Sequence, residues 1–219
     1  MVFKRLCRVF SDERPIYSII FCLSKIYQVM KGKLRAFILG WPNSFVGYGA
    51  QISGTQYIKT GSNIYINQFS RIQAISKYRD HEFKPLIMLG DNFSASDSLF
   101  ISGIHKIIIG DNCMLGSNVY ISDCNHGSYK GEGQSAASLP PKDRNLVSFG
   151  AVKIGSNVWI GNNVNVIGPV VIGDGAVIGA NAIIVKDVAA NTMVVGRKMK
   201  VIKKFNSNLH VWETIKKDG

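Results

Sequence analysis

The chain has 219 residues, enough to bury a hydrophobic core within one domain. Its 46% hydrophobic and 18% charged residues exclude an intrinsically disordered protein, and 22 glycines against 6 prolines exclude collagen-like and proline-rich chains. The 4 cysteines lack the even spacing of a disulfide scaffold, which predicts reduced thiols in a cytoplasmic protein.

The net charge of +12 is concentrated at the two ends of the chain. Residues 1–35 contain eight basic and two acidic side chains, residues 197–219 contain seven and two, and the middle is nearly neutral. This distribution is not that of a nucleic-acid-binding core. It favours phosphate-rich small molecules or an anionic membrane surface as partners.

Residues 1–40 are predicted to form a basic, helical N-terminal segment without a signal peptide, since Asp12 and Glu13 interrupt its basic start. The apolar stretch 16–30 is too short to span a membrane, and Pro15 suits the first turn of a helix. Its helical spacing gives one apolar face: Ile16, Ile19, Ile20, Leu23, Ile26, Tyr27 and Met30. Two interpretations stay open: the face packs against the protein, or it rests on anionic lipid.

From Ile154 onward, aliphatic residues recur every six positions, and small or β-branched residues stand two positions before them. Weaker series of the same kind begin at Val46, Leu89 and Ile109. A short strand and a corner repeated every six residues predict a three-sided parallel β-helix with about 18 residues per coil. Ile172 is then expected to stack on Ile154. Glycine, Asn and Asp at the corners suit positive φ angles.

At these residues the chain resembles the hexapeptide-repeat acyltransferases, in particular O-acetyltransferases of sugars and surface polysaccharides. The resemblance runs from about Leu89 to Phe205 and implies an all-β fold, a left-handed parallel β-helix over residues 41–205 with a basic C-terminal tail over 206–219. It also implies an acyltransferase that uses acetyl-CoA and no metal. The family works as a homotrimer with the donor bound between subunits.

The period stops after Ile121 and resumes near Val147, which predicts a loop insertion over about 123–147. His126 stands where the chain leaves the coil, and an imidazole suits a general base that takes a proton from a hydroxyl. The alternative is a histidine that only caps the loop. In the family, a histidine five residues after the last aliphatic residue of a coil opens the acceptor loop. The resemblance therefore implies that His126 is the catalytic base.

Several neighbours of His126 are candidates for the acceptor side of the site. Cys124 replaces a histidine that relatives often carry, and we interpret it as a bystander because the family transfers the acyl group directly. The group that orients the imidazole is left open between Asp123, Glu132 and a backbone carbonyl. The acceptor-side candidates are Ser96, Asp97, Asp123, Asn125 and Glu132.

The resemblance places the donor site in the later coils and at the basic end of the chain. The backbone N–H of Asn162 matches a donor that faces the reacting carbonyl, an oxyanion-type role. The candidates for binding acetyl-CoA are Trp159, Gly161, Gly179, Ala180, Val185, Lys186, Lys200 and Lys203. Packing between subunits stays open for Trp159, and a solvated basic surface stays open for the lysines.

The predicted function is acetyl transfer to a sugar hydroxyl of a bacterial surface polysaccharide or its precursor, in the cytoplasm, with membrane contact left open. One alternative is a xenobiotic (antibiotic) O-acetyltransferase with the same histidine chemistry. Another is a zinc enzyme like the γ-class carbonic anhydrases, which needs three converging histidines. The intervals between His81, His105 and His126 do not match an 18-residue coil. A non-catalytic scaffold would not require a histidine loop beside a basic end.

Overall fold

The computed structural model describes residues 15–129, 134–136, 138–196, 200–206, 208 and 211–214. A long helix, α1 (Pro15–Ile38), precedes a solenoid of short strands. In chain order these are β1 (Phe45–Val46), β2 (Gln51–Ser53), β3 (Ile58–Thr60), β4 (Tyr65–Ile66), β5 (Arg71–Ala74), β6 (Lys77–Tyr78), β7 (His81–Glu82), β8 (Leu86–Leu89), β9 (Ser94–Ala95), β10 (Phe100–Gly103), β11 (Lys106–Ile109), β12 (Met114–Leu115), β13 (Tyr120–Ser122), β14 (Asn125–His126), β15 (Leu146–Val147), β16 (Val152–Ile154), β17 (Trp159–Ile160), β18 (Asn165–Ile167), β19 (Val170–Ile172), β20 (Val177–Ile178), β21 (Ile183–Ile184), β22 (Thr192–Val195), β23 (Lys200–Asn206) and β24 (Val211–Thr214).

The strands stack into three parallel sheets, one strand per coil, which form the faces of a prism. Face 1 contains β1, β4, β9, β12, β17, β20 and β22, extended by the antiparallel β23 and β24. Face 2 contains β2, β5, β10, β13, β18 and β21, and face 3 contains β3, β8, β11, β16 and β19. The predicted fold class, an all-β left-handed parallel β-helix, is confirmed.

The repeated aliphatic residues fill the interior of the prism. Ile154 is in register with Ile172, as predicted, and both side chains are buried. Each such side chain contributes about 1.5–3 kcal/mol relative to an exposed one. The first coil departs from the expected length of about 18 residues. A 3₁₀ turn, Thr55–Tyr57, lengthens the first coil by two residues, so Ile66 rather than Ile64 pairs with Val46.

The corners are closed by close stacking of successive coils. Asn157, Asn163 and Gly175 have positive φ, which agrees with the prediction for these turns. Gly161 serves a different purpose, because a Cβ there would lie 2.7 Å from the backbone nitrogen of Ala180 in the next coil. The backbone N–H of a corner residue commonly donates to a side-chain oxygen of the next coil. The N–H of Asp111, for example, donates to Ser156 Oγ at 3.1 Å.

Helix α1 lies at one end of the solenoid, and the antiparallel pair of β23 and β24 lies at the other. The predicted apolar face of α1 does not pack against the protein, since its seven side chains are 50–75% exposed. The helix instead approaches the first coil through its small residues, and a Cβ at Gly32 would overlap the ring of Phe45. In the described part of the chain, no helix is long and apolar enough to cross a bilayer. At the far end, β24 lies within the predicted 206–219 tail and pairs with β23.

Candidate active site at two corners of the prism

Four insertions leave the solenoid at one corner, between faces 2 and 3, which we call the loop corner. The longest lies between β13 and β16 and contains the antiparallel pair of β14 with β15. A second insertion, the hairpin of β6 and β7, was not predicted from the sequence. The sequence indicates this insertion only through the length of its coil. Tyr65 pairs with Ser94, 29 residues later, which is eleven residues more than a regular coil requires. Two-residue insertions occupy the corner in two other coils.

His126 lies at the start of the long loop and is held by both insertions. It is paired with Leu146 across β14 and β15, and its side chain is exposed. The Tyr78 ring of the short hairpin meets the imidazole edge to face, with 5.4 Å between ring centroids. The Tyr78 hydroxyl lies 3.5 Å from Nδ1 of His126, at the outer limit of a hydrogen bond, and donates to the carbonyl of Lys142 at 2.9 Å.

Further contacts tie the long loop to the hairpin and to itself. Nη1 of Arg79 forms an ion pair with Asp143 at 2.7 Å; both side chains are more than a third exposed, so solvent weakens it. Within the loop, the hydroxyl of Tyr129 donates to the carbonyl of His126, and Nη1 of Arg144 donates to that hydroxyl at 2.7 Å. The backbone of His126 is therefore fixed by contacts from both sides.

Asp123 does not face His126. Its carboxylate is 2% exposed and accepts hydrogen bonds from the backbone N–H groups of residues 104, 105 and 106, at 2.9, 3.1 and 2.6 Å. Burial raises the pKa of Asp123 above its ordinary value, although these three hydrogen bonds oppose the shift. Asp123 thus stabilises the neighbouring turn rather than orienting the imidazole or contacting an acceptor. Glu132 lies outside the described residues, and Asn125 is exposed beside His126.

The thiol of Cys124 is buried, and burial raises its pKa, so it stays protonated at neutral pH. This agrees with its interpretation as a bystander. Next to it, a cavity of 670 Å³ opens between the two insertions, and His105 but not His126 lines it. The three histidines of the zinc alternative share the loop corner, yet no group of metal-binding side chains is found among the described residues.

The corner between faces 1 and 2, which we call the donor corner, carries Asn162 in the fifth coil. The side-chain oxygen of Asn162 accepts from the N–H of Ser117 at 2.8 Å, as the corner pattern requires. Its own N–H faces Ala180, which has no side-chain oxygen, and no acceptor for that N–H is found in the described part of the chain. A backbone donor is thereby left available to a ligand.

The other donor-side candidates occupy three places. Gly161 and Gly179 are tightly packed against the next coil, which explains both glycines without a ligand. Trp159 is 50% exposed on face 1, in register with the exposed Met114. Val185 and Lys186 are exposed at the loop corner of the sixth coil.

The remaining candidates are less completely described. The backbones of Lys200 and Lys203 lie in β23, paired with β22, and their side chains lie outside the described part. Ser96 and Asp97 lie at the donor corner of the third coil. Ser96 is exposed, whereas Oδ1 of Asp97 is buried without a hydrogen-bond partner among the described residues. Burial and the charge of Asp97 raise the pKa of Tyr65.

His126 and Asn162 therefore lie at different corners of one chain. Face 2 separates the corners by about six residues, or up to ~20 Å at 3.3 Å per residue.

Comparisons with known proteins agree with this architecture. The family model "Bacterial transferase hexapeptide (six repeats)" matches residues 151–186, and "Hexapeptide repeat of succinyl-transferase" matches residues 106–123. The chain is similar to the putative lipopolysaccharide biosynthesis O-acetyl transferase WbbJ of Escherichia coli (strain K12), with 39% identity over 58% of this chain. It is also similar to the galactoside O-acetyltransferase of the same strain, with 31% identity over 74% of this chain.

The matched regions span 65% and 64% of those two relatives, slightly less than two thirds of either protein. Among solved structures, a galactoside acetyltransferase in complex with coenzyme A aligns with a TM-score of 0.51 and 22% identity. The alignment covers 94% of this chain and 80% of that one, and supports the fold.

Proposed function

The chain belongs to the hexapeptide-repeat acyltransferase family, and we propose that it transfers an acetyl group from acetyl-CoA to a sugar hydroxyl. The main support for this proposal is the position of His126 at the start of the long loop. Its imidazole is exposed at the root of a loop held by contacts from two insertions, with Tyr78 beside Nδ1. An ordered, solvent-accessible imidazole at that point is suited to proton transfer from a hydroxyl.

In the proposed reaction, Nε2 of His126 accepts the proton of the acceptor hydroxyl. The hydroxyl oxygen attacks the thioester carbonyl, forming the new C–O bond, and the C–S bond breaks. The thiolate of coenzyme A leaves and receives the proton from His126, so the enzyme returns to its starting state. A hydrogen bond donated by Nδ1–H to the hydroxyl oxygen of Tyr78 holds the tautomer in which Nε2 is the base.

The donor-side candidates supply the remaining chemistry in this proposal. The N–H of Asn162, which has no acceptor among the described residues, donates to the thioester oxygen as negative charge develops on it. Trp159 borders the thioester, and the backbone around Gly161, Gly179, Ala180 and Val185 contacts the pantetheine arm. Lys186, Lys200 and Lys203 carry positive charge for the phosphates of the nucleotide.

The assembly we propose is a homotrimer, in which the loop corner of one chain meets the donor corner of the next. The separation of His126 from Asn162 by face 2 supports it, as do the exposed apolar side chains of Met114 and Trp159 on face 1. Light scattering should then give three times the chain mass.

We infer that the acceptor belongs to a bacterial surface polysaccharide or its precursor, and that the reaction occurs in the cytoplasm, where the donor is made. The similarity to the putative lipopolysaccharide O-acetyl transferase supports this acceptor class. Ser96, Asp97 and Asn125 are the acceptor-side candidates that fit. The buried Oδ1 of Asp97, which has no hydrogen-bond partner in the described part of the chain, is suited to a sugar hydroxyl.

The test is to identify the acetylated product. Surface glycan from cells with and without the protein is compared by mass spectrometry, and the purified protein is given acetyl-CoA with glycan precursors and hydroxylated antibiotics. One acetyl group added to the glycan supports the proposal. Transfer to an antibiotic alone identifies a xenobiotic acetyltransferase, and transfer to neither contradicts both.

A further inference from the structure

Helix α1 exposes a continuous apolar stripe along its whole length. Ten large side chains, each 50–80% exposed, recur at the i, i+3, i+4 spacing of one helix face. At about 100° per residue they occupy a sector roughly 120° wide. The members of this stripe are Ile16, Ile19, Ile20, Leu23, Ile26, Tyr27, Met30, Leu34, Phe37 and Ile38.

The opposite side of α1 attaches the helix to the solenoid. Ala36 is buried in the core, and Gly32 is packed so closely that a Cβ there would lie 2.1 Å from a ring carbon of Phe45. Nη1 of Arg35 donates to the carbonyl of Val46 at 3.4 Å. These contacts fix the rotation of the C-terminal part of the helix, so the stripe faces away from the prism.

The charges of α1 are all positive. The helix contains four cationic side chains, Lys25, Lys31, Lys33 and Arg35, and no acidic residue. By the same helical arithmetic, Lys31 and Lys33 lie about 20° beyond the two margins of the stripe. Lys31 Nζ lies 4.4 Å from the centroid of the Tyr27 ring. Lysines at such margins lay their methylene chains along apolar surface while the ammonium groups reach outward.

We propose that α1 is a docking surface for membranes that contain anionic phospholipid, with the stripe among the acyl chains and the lysines at the phosphates. The helix is about 36 Å long at 1.5 Å per residue, and lies in the plane of the interface rather than crossing it. The same helix of a second copy is a poorer occupant, because it brings the same four cations and no carboxylate to pair with them. Membrane docking through α1 is independent of the proposed reaction.

The test uses the full-length protein and phosphatidylcholine vesicles with or without 30% phosphatidylglycerol, separated by sedimentation. We expect binding to the anionic vesicles that weakens at least tenfold when salt is raised from 0.1 to 0.5 M. Leu23→Asp, on the stripe, should weaken it at least tenfold. Gln28→Asp, which adds the same charge off the stripe, should weaken it much less. The neutral variant Ile20→Gln should also weaken binding, which separates lost apolar contact from added charge.

Equal binding to both kinds of vesicle, or equal effects of the two aspartate variants, would overturn the proposal. A third outcome would do so as well. If Leu23→Asp lowers the mass of the assembly in analytical ultracentrifugation while vesicle binding stays that of the parent, the stripe is an interface between copies. Circular dichroism of the variants verifies that α1 remains helical.

Discussion

The hydroxyl of Tyr78 lies between Nδ1 of His126, at 3.5 Å, and the carbonyl of Lys142, at 2.9 Å. The hydroxyl donates its hydrogen to the carbonyl of Lys142, so towards Nδ1 it can act only as an acceptor. Nδ1 must therefore carry a proton to form this hydrogen bond. This relationship favours the tautomer in which Nε2 is unprotonated. A residue of one insertion thereby positions the proposed base of another.

Tyr78→Phe should lower kcat several-fold and leave the KM for acetyl-CoA nearly unchanged, because the ring packing is kept and only the hydrogen-bonding oxygen is lost. Steady-state kinetics measures this, and nitrogen NMR of the histidines should show a larger fraction of the other tautomer. Tyr48→Phe, an exposed tyrosine of the first coil, is the control. Equal kinetics and spectra for the two variants would mean that Tyr78 has no positioning role.

The solenoid could be predicted because its signal is local and repeated. Ile154 and Ile172 lie in register since every coil between them has the same length and the same inward residues. The partner of His126 could not be predicted in this way. Tyr78 lies 48 residues earlier in a short polar hairpin without a period, and only the excess length of its coil indicates an insertion.

The orientation of α1 shows a second limit of periodicity. The spacing from Ile16 to Met30 identifies an apolar face but does not say what the face meets. The orientation of the helix is decided by two small residues on its other side. Gly32 lies against the ring of Phe45, and Ala36 is buried in the core. Likewise, the sequence leaves Asp123 as one of several groups that could orient His126, whereas the structure shows its carboxylate bonded to the neighbouring turn.

The available N–H of Asn162 gives a second prediction. Ala180→Ser should supply the missing oxygen, in the way that Ser156 accepts from Asp111, and so occupy that N–H. If the N–H stabilises the transition state, kcat should fall at least tenfold while thermal stability is kept or rises. Steady-state kinetics and the melting temperature measure the two effects.

Ala190→Ser is the matched control for that change. Ala190 faces the N–H of Asp174 at the corner between faces 3 and 1, as Ala180 faces that of Asn162. The same substitution there should leave kcat unaltered. A similar loss of activity in both variants, or in neither, would remove Asn162 from the proposed mechanism.

Asp123→Asn should lower the melting temperature by several degrees at pH 7. An amide has one acceptor oxygen, so at least one of the three N–H groups now bonded to the carboxylate loses its partner, at a cost of about 1–3 kcal/mol. Calorimetry measures the change. An unaltered melting temperature would show that the turn at 104–106 does not depend on Asp123.

The difference in stability between the parent and Asp123→Asn should depend on pH, and the sign of this dependence can be stated. In the folded state, burial raises the pKa of Asp123 above its ordinary value of 3.8. Ionisation of this group therefore opposes folding. As pH rises from 3.8 through the raised pKa of Asp123, this carboxyl loses its proton in the folded protein. The free energy of unfolding of the parent should fall by the part that depends on protonated Asp123. The asparagine variant should lack this part of the pH dependence. Parallel stability curves for the two proteins would contradict the assignment.

Mixing two inactive variants tests whether the site is shared between copies. His126→Ala removes the base, and Ala180→Trp fills the donor corner without altering the loop corner. In a trimer whose sites combine neighbouring chains, random mixing in equal amounts should restore about a quarter of the parent activity, since one site in four pairs two intact corners. Sites confined within one chain would give no recovery on co-expression.

If His126 removes the proton of the acceptor hydroxyl, the turnover number of His126→Asn at saturating acetyl-CoA should reveal the loss of that step. Asparagine retains hydrogen bonding but accepts no proton, so kcat should fall by roughly 10²–10⁴ while calorimetric binding of coenzyme A stays the same. A kcat within a few-fold of the parent, with the loop intact, would show that His126 only caps the loop and is not the base.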